Sequence, residues 1–101
     1  MSKTIEVRLL VVNTKNIPVT FLLEPWGESY ELQPEEQVSL VYRGPDGGHA
    51  ELAVGANTIE TWGWVGSTVR IFKEDEELGG SNCHRTPVPD AFPAIQQPNW
   101  G

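Results

Sequence analysis

Hydrophobic and polar positions alternate along most of this chain. From Thr4 to Val12, Ile5, Val7, Leu9 and Val11 alternate with Glu6, Arg8, Leu10 and Val12. Side chains two apart share one face of a strand, so the run predicts a strand with an apolar inner face. Glu6 and Arg8 put the near end of the second face in solvent. Leu10 and Val12 predict that its far end is covered. After the turn cluster Asn13-Thr14-Lys15-Asn16, the set Val19, Phe21 and Leu23 predicts a second strand, which ends at Glu24-Pro25-Trp26-Gly27.

Shorter units follow. Tyr30 and Leu32 share a face in residues 28–32, and Gln33-Pro34-Glu35-Glu36 is a turn. Val38, Leu40 and Tyr42 point inward in residues 37–43, before the strong turn signal Gly44-Pro45-Asp46-Gly47-Gly48. Ala50, Leu52 and Val54 are expected inward in residues 49–54, Ile59 and Thr61 share a face in residues 58–62, and Val69 and Ile71 point inward in residues 67–73. Residues 63–66 read as a loop or bulge. Residues 73–78 read as a tight turn with a stub strand, or as one helical turn. About seven strands at this spacing predict an all-β fold, a single small antiparallel β-sandwich or partly open barrel. No connection is long enough for a crossover helix, so consecutive strands should pair mostly antiparallel.

The alternation stops at Gly79-Gly80. Residues 79–101 hold Pro87, Pro89, Pro93 and Pro98, which remove backbone donors and break ladders. The expected organisation is a β-sandwich domain over residues 1–78 and an extended Pro-rich C-terminal tail over residues 79–101. The tail carries Val88, Phe92, Ile95 and Trp100, which a solvated linker does not need. It is expected either to lie along the domain or to be a recognition segment.

Charge narrows the partners. The 101 residues include 14 acidic and 7 basic side chains, a net charge of −7. Only Arg85 and Asp90 are charged after residue 78, so the whole imbalance belongs to the β-domain. An acidic surface disfavours nucleic-acid backbones and anionic lipid. No apolar run is long enough to span a membrane, and the N-terminus lacks the pattern of a signal peptide. A single cysteine, Cys83, forms no internal disulfide. These features predict a soluble cytoplasmic protein, with no nucleic-acid or membrane partner.

Catalytic groupings are sparse. The many glutamates fall on predicted outer faces or turns, so a solvated acidic surface is favoured over a hydrolase carboxylate pair. His49, Cys83 and His84 do not have the spacing of a metal site, and no metal or other cofactor is expected. Ser39, Asp46 and His49 could form a triad only by chance assembly. The Gly44 to Gly48 segment lacks the lysine and helix of a phosphate loop.

Tryptophan is the unusual component. Trp26, Trp62, Trp64 and Trp100 stand in a short chain, three of them in Trp-Gly pairs. Trp62 and Trp64 would share a face in extended backbone. They could form a stacking platform, an interface, or caps on the open ends of a small sandwich. The expectation is a non-enzymatic binding or interaction domain that uses these tryptophans or the tail to hold a protein or small ligand. An acidic inhibitor-type protein is an alternative.

The string FLLEPWGESY from Phe21 to Tyr30, with Gly44-Pro45 and Trp62-Gly63-Trp64, resembles short uncharacterised bacterial all-β proteins. The resemblance covers residues 4–73 and implies an all-β fold and no particular activity. Glu77-Leu78-Gly79-Gly80, followed by a Cys- and Pro-containing segment, resembles the junction in precursors of processed peptides. That resemblance implies release of a C-terminal peptide after Gly80.

Overall fold

The computed structural model describes residues 3–78 and 86–89. Among these residues the protein is all-β, with eight strands: β1 (Thr4–Val12), β2 (Val19–Glu24), β3 (Glu28–Leu32), β4 (Gln37–Pro45), β5 (Glu51–Val54), β6 (Thr58–Trp62), β7 (Thr68–Lys73) and β8 (Glu76–Glu77). They form two open four-stranded sheets, ordered β1-β4-β7-β8 and β3-β2-β6-β5. The two sheets are not closed into a barrel. The inward residues of the two sheets meet in one core. Val11, Val38, Leu40, Tyr42, Val69 and Ile71 come from the first sheet, and Val19, Phe21, Leu23, Leu32 and Ile59 from the second. Removing these apolar side chains from water is the main force holding the sheets together.

Consecutive strands that pair do so antiparallel: β2 with β3, β5 with β6 and β7 with β8. β4 also runs antiparallel to β1 and β7. The exception is β2 with β6, which is parallel, with Phe21 opposite Ile59 and Leu23 opposite Thr61. A parallel pair needs a crossover connection. Here the crossover is an excursion through β4 in the other sheet rather than a helix.

Two turns are pinned by side-chain chemistry or backbone handedness. Asn13 is buried; its Nδ2 donates to the carbonyls of Ile17 and Leu32 at 2.9 and 3.0 Å, and its Oδ1 accepts from the Lys15 amide. One side chain thereby ties the β1–β2 loop to the end of β3. Residues 73–78 adopt the turn-and-strand alternative. Glu74 and Asp75 both have positive φ, at 52° and 67°, which suits the right-handed twist of a two-residue hairpin.

The segment Thr86 to Pro89 is seated on the β-domain. Val88 is buried and forms a parallel bridge with Val65. Its carbonyl accepts from the Gly66 amide at 2.9 Å, and its own amide donates to the Ser67 carbonyl at 3.1 Å. Cys83, His84, Trp100, the Gly79-Gly80 junction and the rest of the expected tail lie outside the described residues.

Two cover expectations fail. Leu52 and Val54 face inward, but they are not covered, and Leu10 and Val12 are also exposed. Alternation reports which side a residue faces, not whether anything lies opposite. β1 and β5 are both sheet edges, so the residues beside them lack a neighbouring strand.

Candidate functional site

Among the described residues, Trp26, Trp62 and Trp64 do not form one platform. β6 ends at Trp62, and the indoles of Trp62 and Trp64 make different contacts. Trp62 lies opposite Glu24 on the outer face of its sheet, with Nε1 3.4 Å from Glu60 Oε1. Trp64 packs against the core instead, with its ring centroid 6.0 Å from that of Tyr42. Its Nε1 donates to the Pro45 carbonyl at 2.9 Å. Gly48 lies so close to the indole that an added Cβ would sit 1.8 Å from Trp64 Cδ1. Trp26 packs against the core and over Gly63, and its Nε1 donates to the Thr86 carbonyl at 2.7 Å. The indoles of Trp26 and Trp64 therefore hold the loop end of the sandwich together.

The polar candidates are dispersed. His49 Nε2 lies 3.1 Å from Glu51 Oε2, while Ser39 is an exposed residue of β4. No group of three or more potential metal ligands occurs among the described residues. Glu24 has its pKa raised, first by burial and then by the nearby Glu60 charge, with the Gly27 amide acting in the opposite direction. Glu36 is held below the usual range, chiefly by its hydrogen bond with Lys73, whose Nζ lies 2.7 Å from Glu36 Oε2. Arg70 pairs with Glu77 at 2.6 Å. No helix among the described residues is long and apolar enough to cross a membrane.

Of the five exposed large apolar side chains among the described residues, all but Ile17 converge. Leu10 is 59% exposed, Val12 38%, Leu52 51% and Val54 67%. All four line one slot of about 310 Å³ on the side of the sandwich where β1 and β5 are the sheet edges. Val11, Val19 and Ile59 contribute buried apolar walls, and Asn13, Thr14 and Lys15 close one end. The Lys15 ammonium donates to the Ala56 carbonyl, linking the loop after β1 to the turn after β5.

Register explains the shape. Leu52 lies opposite Thr61, and Val54 opposite Ile59, so both share the inner face of their sheet. Among the described residues the first sheet stops at β1, and Leu52 and Val54 stay exposed. The backbone of β1 is also open on that side. The Asn13 amide donates to the Glu36 carbonyl, and the Lys3 carbonyl accepts from the Asp46 amide. Odd-numbered residues of β1 therefore turn their polar backbone groups toward β4. The amides and carbonyls of Arg8, Leu10 and Val12 point to the open edge. Such an edge offers a strand template.

Reading by face alone missed this slot. The available signal was Leu9-Leu10-Val11-Val12, where both faces of one strand are apolar at the same place. Comparison with protein-family models, with curated proteins and with solved structures finds no match to this chain.

Proposed function

We propose that this protein is a non-enzymatic interaction domain that accepts an extended β-strand of a polypeptide partner in the slot between β1 and β5. The observation carrying this reading is that four exposed apolar side chains meet beside a nine-residue edge that no other described strand pairs. A strand added next to β1 would complete backbone ladders with Arg8, Leu10 and Val12. Its inward side chains would cover Leu52 and Val54. Main-chain bonding then supplies affinity, and the apolar slot selects a segment with apolar residues at alternate positions. This places binding at a different surface from the tryptophan loops, since Trp26 and Trp64 are engaged within the chain.

The test is a titration with a short soluble peptide of alternating valine and threonine, followed by NMR. The expected result is saturable shifts at the amides of residues 8–12 and the methyls of Leu52 and Val54. A titration that leaves these signals unmoved at millimolar peptide refutes the reading.

A further inference from the structure

We infer that the strand received by this slot is β1 of a second copy, paired antiparallel about a two-fold axis at Leu10. This inference rests on the strand-accepting reading above and names its partner. The open edge asks for a long strand with outward-pointing backbone groups and apolar surface beside them. β1 has both: Arg8, Leu10 and Val12 present their amides and carbonyls, and Leu10 and Val12 are exposed on its outer face, while Val7, Leu9 and Val11 stay packed in its own core.

The register follows from side-chain matching. With Leu10 opposite Leu10 of the other copy, Leu9 faces Val11 and Arg8 faces Val12. No like charges stand opposite one another. A register shifted to place Arg8 opposite Arg8 would juxtapose two cations, which is unfavourable. In the Leu10-centred register, Arg8, Leu10 and Val12 exchange backbone bonds with their counterparts, because their amides and carbonyls already point to the open edge. The two Leu10 side chains then stand side by side on the outer face, each with the other copy's Val12 as its diagonal neighbour. A two-fold pairing of this kind is isologous and closes at two copies.

The chain beyond Pro89 is a poorer donor. Pro93 and Pro98 stand five positions apart, an odd offset, so in an extended strand their nitrogens point to opposite edges. In any straight register through both, one of them would place its nitrogen, which has no hydrogen to donate, in the ladder.

The test combines sedimentation with amide hydrogen exchange on the full chain, from about 10 μM to about 1 mM, a range matched to weak association. The expected result is a concentration-dependent doubling of mass. Exchange at the Arg8, Leu10 and Val12 amides should slow as concentration rises, while the Leu9 and Val11 amides, already bonded to β4, stay unchanged. Leu10→Lys, at an exposed position, should keep the monomer fold and weaken self-association by about tenfold or more. A mass that stays monomeric, or a dimer whose Leu10 exchange is independent of concentration, overturns the inference. So does a dimer indifferent to Leu10→Lys. The valine–threonine peptide separates the two readings. Peptide binding by a monomeric protein leaves the slot standing and removes self-pairing; loss of both removes both.

Discussion

Replacing Gly48 with alanine would drive a methyl group into the indole of Trp64. The new Cβ would lie 1.8 Å from Cδ1, 2.2 Å from Nε1 and 2.3 Å from Cγ. None of these separations is physically available, so the ring or the loop must move. The ring is not free to yield without loss. Its Nε1 bonds to the Pro45 carbonyl, and its face meets Tyr42 at an interplanar angle of 33°. Losing the hydrogen bond costs about 1 kcal/mol, and forced repacking about 1–3 kcal/mol. The expected destabilisation is about 2–4 kcal/mol, which lowers Tm by about 10 °C or more in a domain of this size. Gly47→Ala is the control. Gly47 has φ +94° but no atom within 4 Å of an added Cβ, so only backbone strain of about 1 kcal/mol applies. The assay is urea unfolding followed by far-UV circular dichroism, which does not depend on tryptophan emission. Trp64→Leu removes the obstructing ring. Gly48→Ala added to that background should cost at least about 1 kcal/mol less than it does in the wild type. If the two changes are instead additive within about 0.5 kcal/mol, the collision with Trp64 is not the source of the effect.

Two further substitutions test other parts of the fold. Asn13→Ala leaves the inward carbonyls of Ile17 and Leu32 without their side-chain donor, and should cost about 2–3 kcal/mol in urea unfolding; a loss under about 0.5 kcal/mol refutes the pinning role. Glu24 has its pKa raised in the folded state by burial and by Glu60. Its contribution to stability is therefore fully present below the unfolded pKa and lost as pH rises through the folded one. Glu24→Gln should accordingly stabilise the protein near neutral pH relative to wild type, with the advantage shrinking as pH falls into the usual carboxylate range. An advantage independent of pH across thermal melts would contradict that assignment.

The faces of the strands were legible because burial follows a period of two. Phe21 and Leu23, Val38, Leu40 and Tyr42, and Val69 and Ile71 all occupy the core their alternation predicts. Lateral neighbours were not legible. Nothing local to Phe21 specifies a parallel partner at Ile59, because that pairing depends on the intervening chain passing through the other sheet. The same gap hid the slot: Leu52 and Val54 alternate like core residues, and their exposure depends on how far the opposite sheet extends. Trp62 and Trp64 part company in tertiary contacts that no local pattern specifies: Trp62 lies beside Glu60, and Trp64 packs by Tyr42 and bonds to the Pro45 carbonyl. Val88 stood out as an apolar residue in a Pro-rich segment, but its docking site at Val65 to Ser67 is a product of tertiary structure.

The parallel seam between β2 and β6 also governs how quickly this chain can find its fold. The β2–β3, β5–β6 and β7–β8 hairpins are local and can close early. Joining Thr20 to Thr58 closes a loop of about 40 residues, and joining Val12 to Gln37 one of about 25, before the ladder bonds repay the lost chain entropy. Such non-local pairing belongs to the slow end of small-domain folding, in milliseconds to seconds. During synthesis, the β2–β3 hairpin must wait for β6 with its inner edge unpaired. Each newly made chain thus passes through a period in which that edge can join a neighbouring chain, so folding yield is set by concentration as well as by final stability.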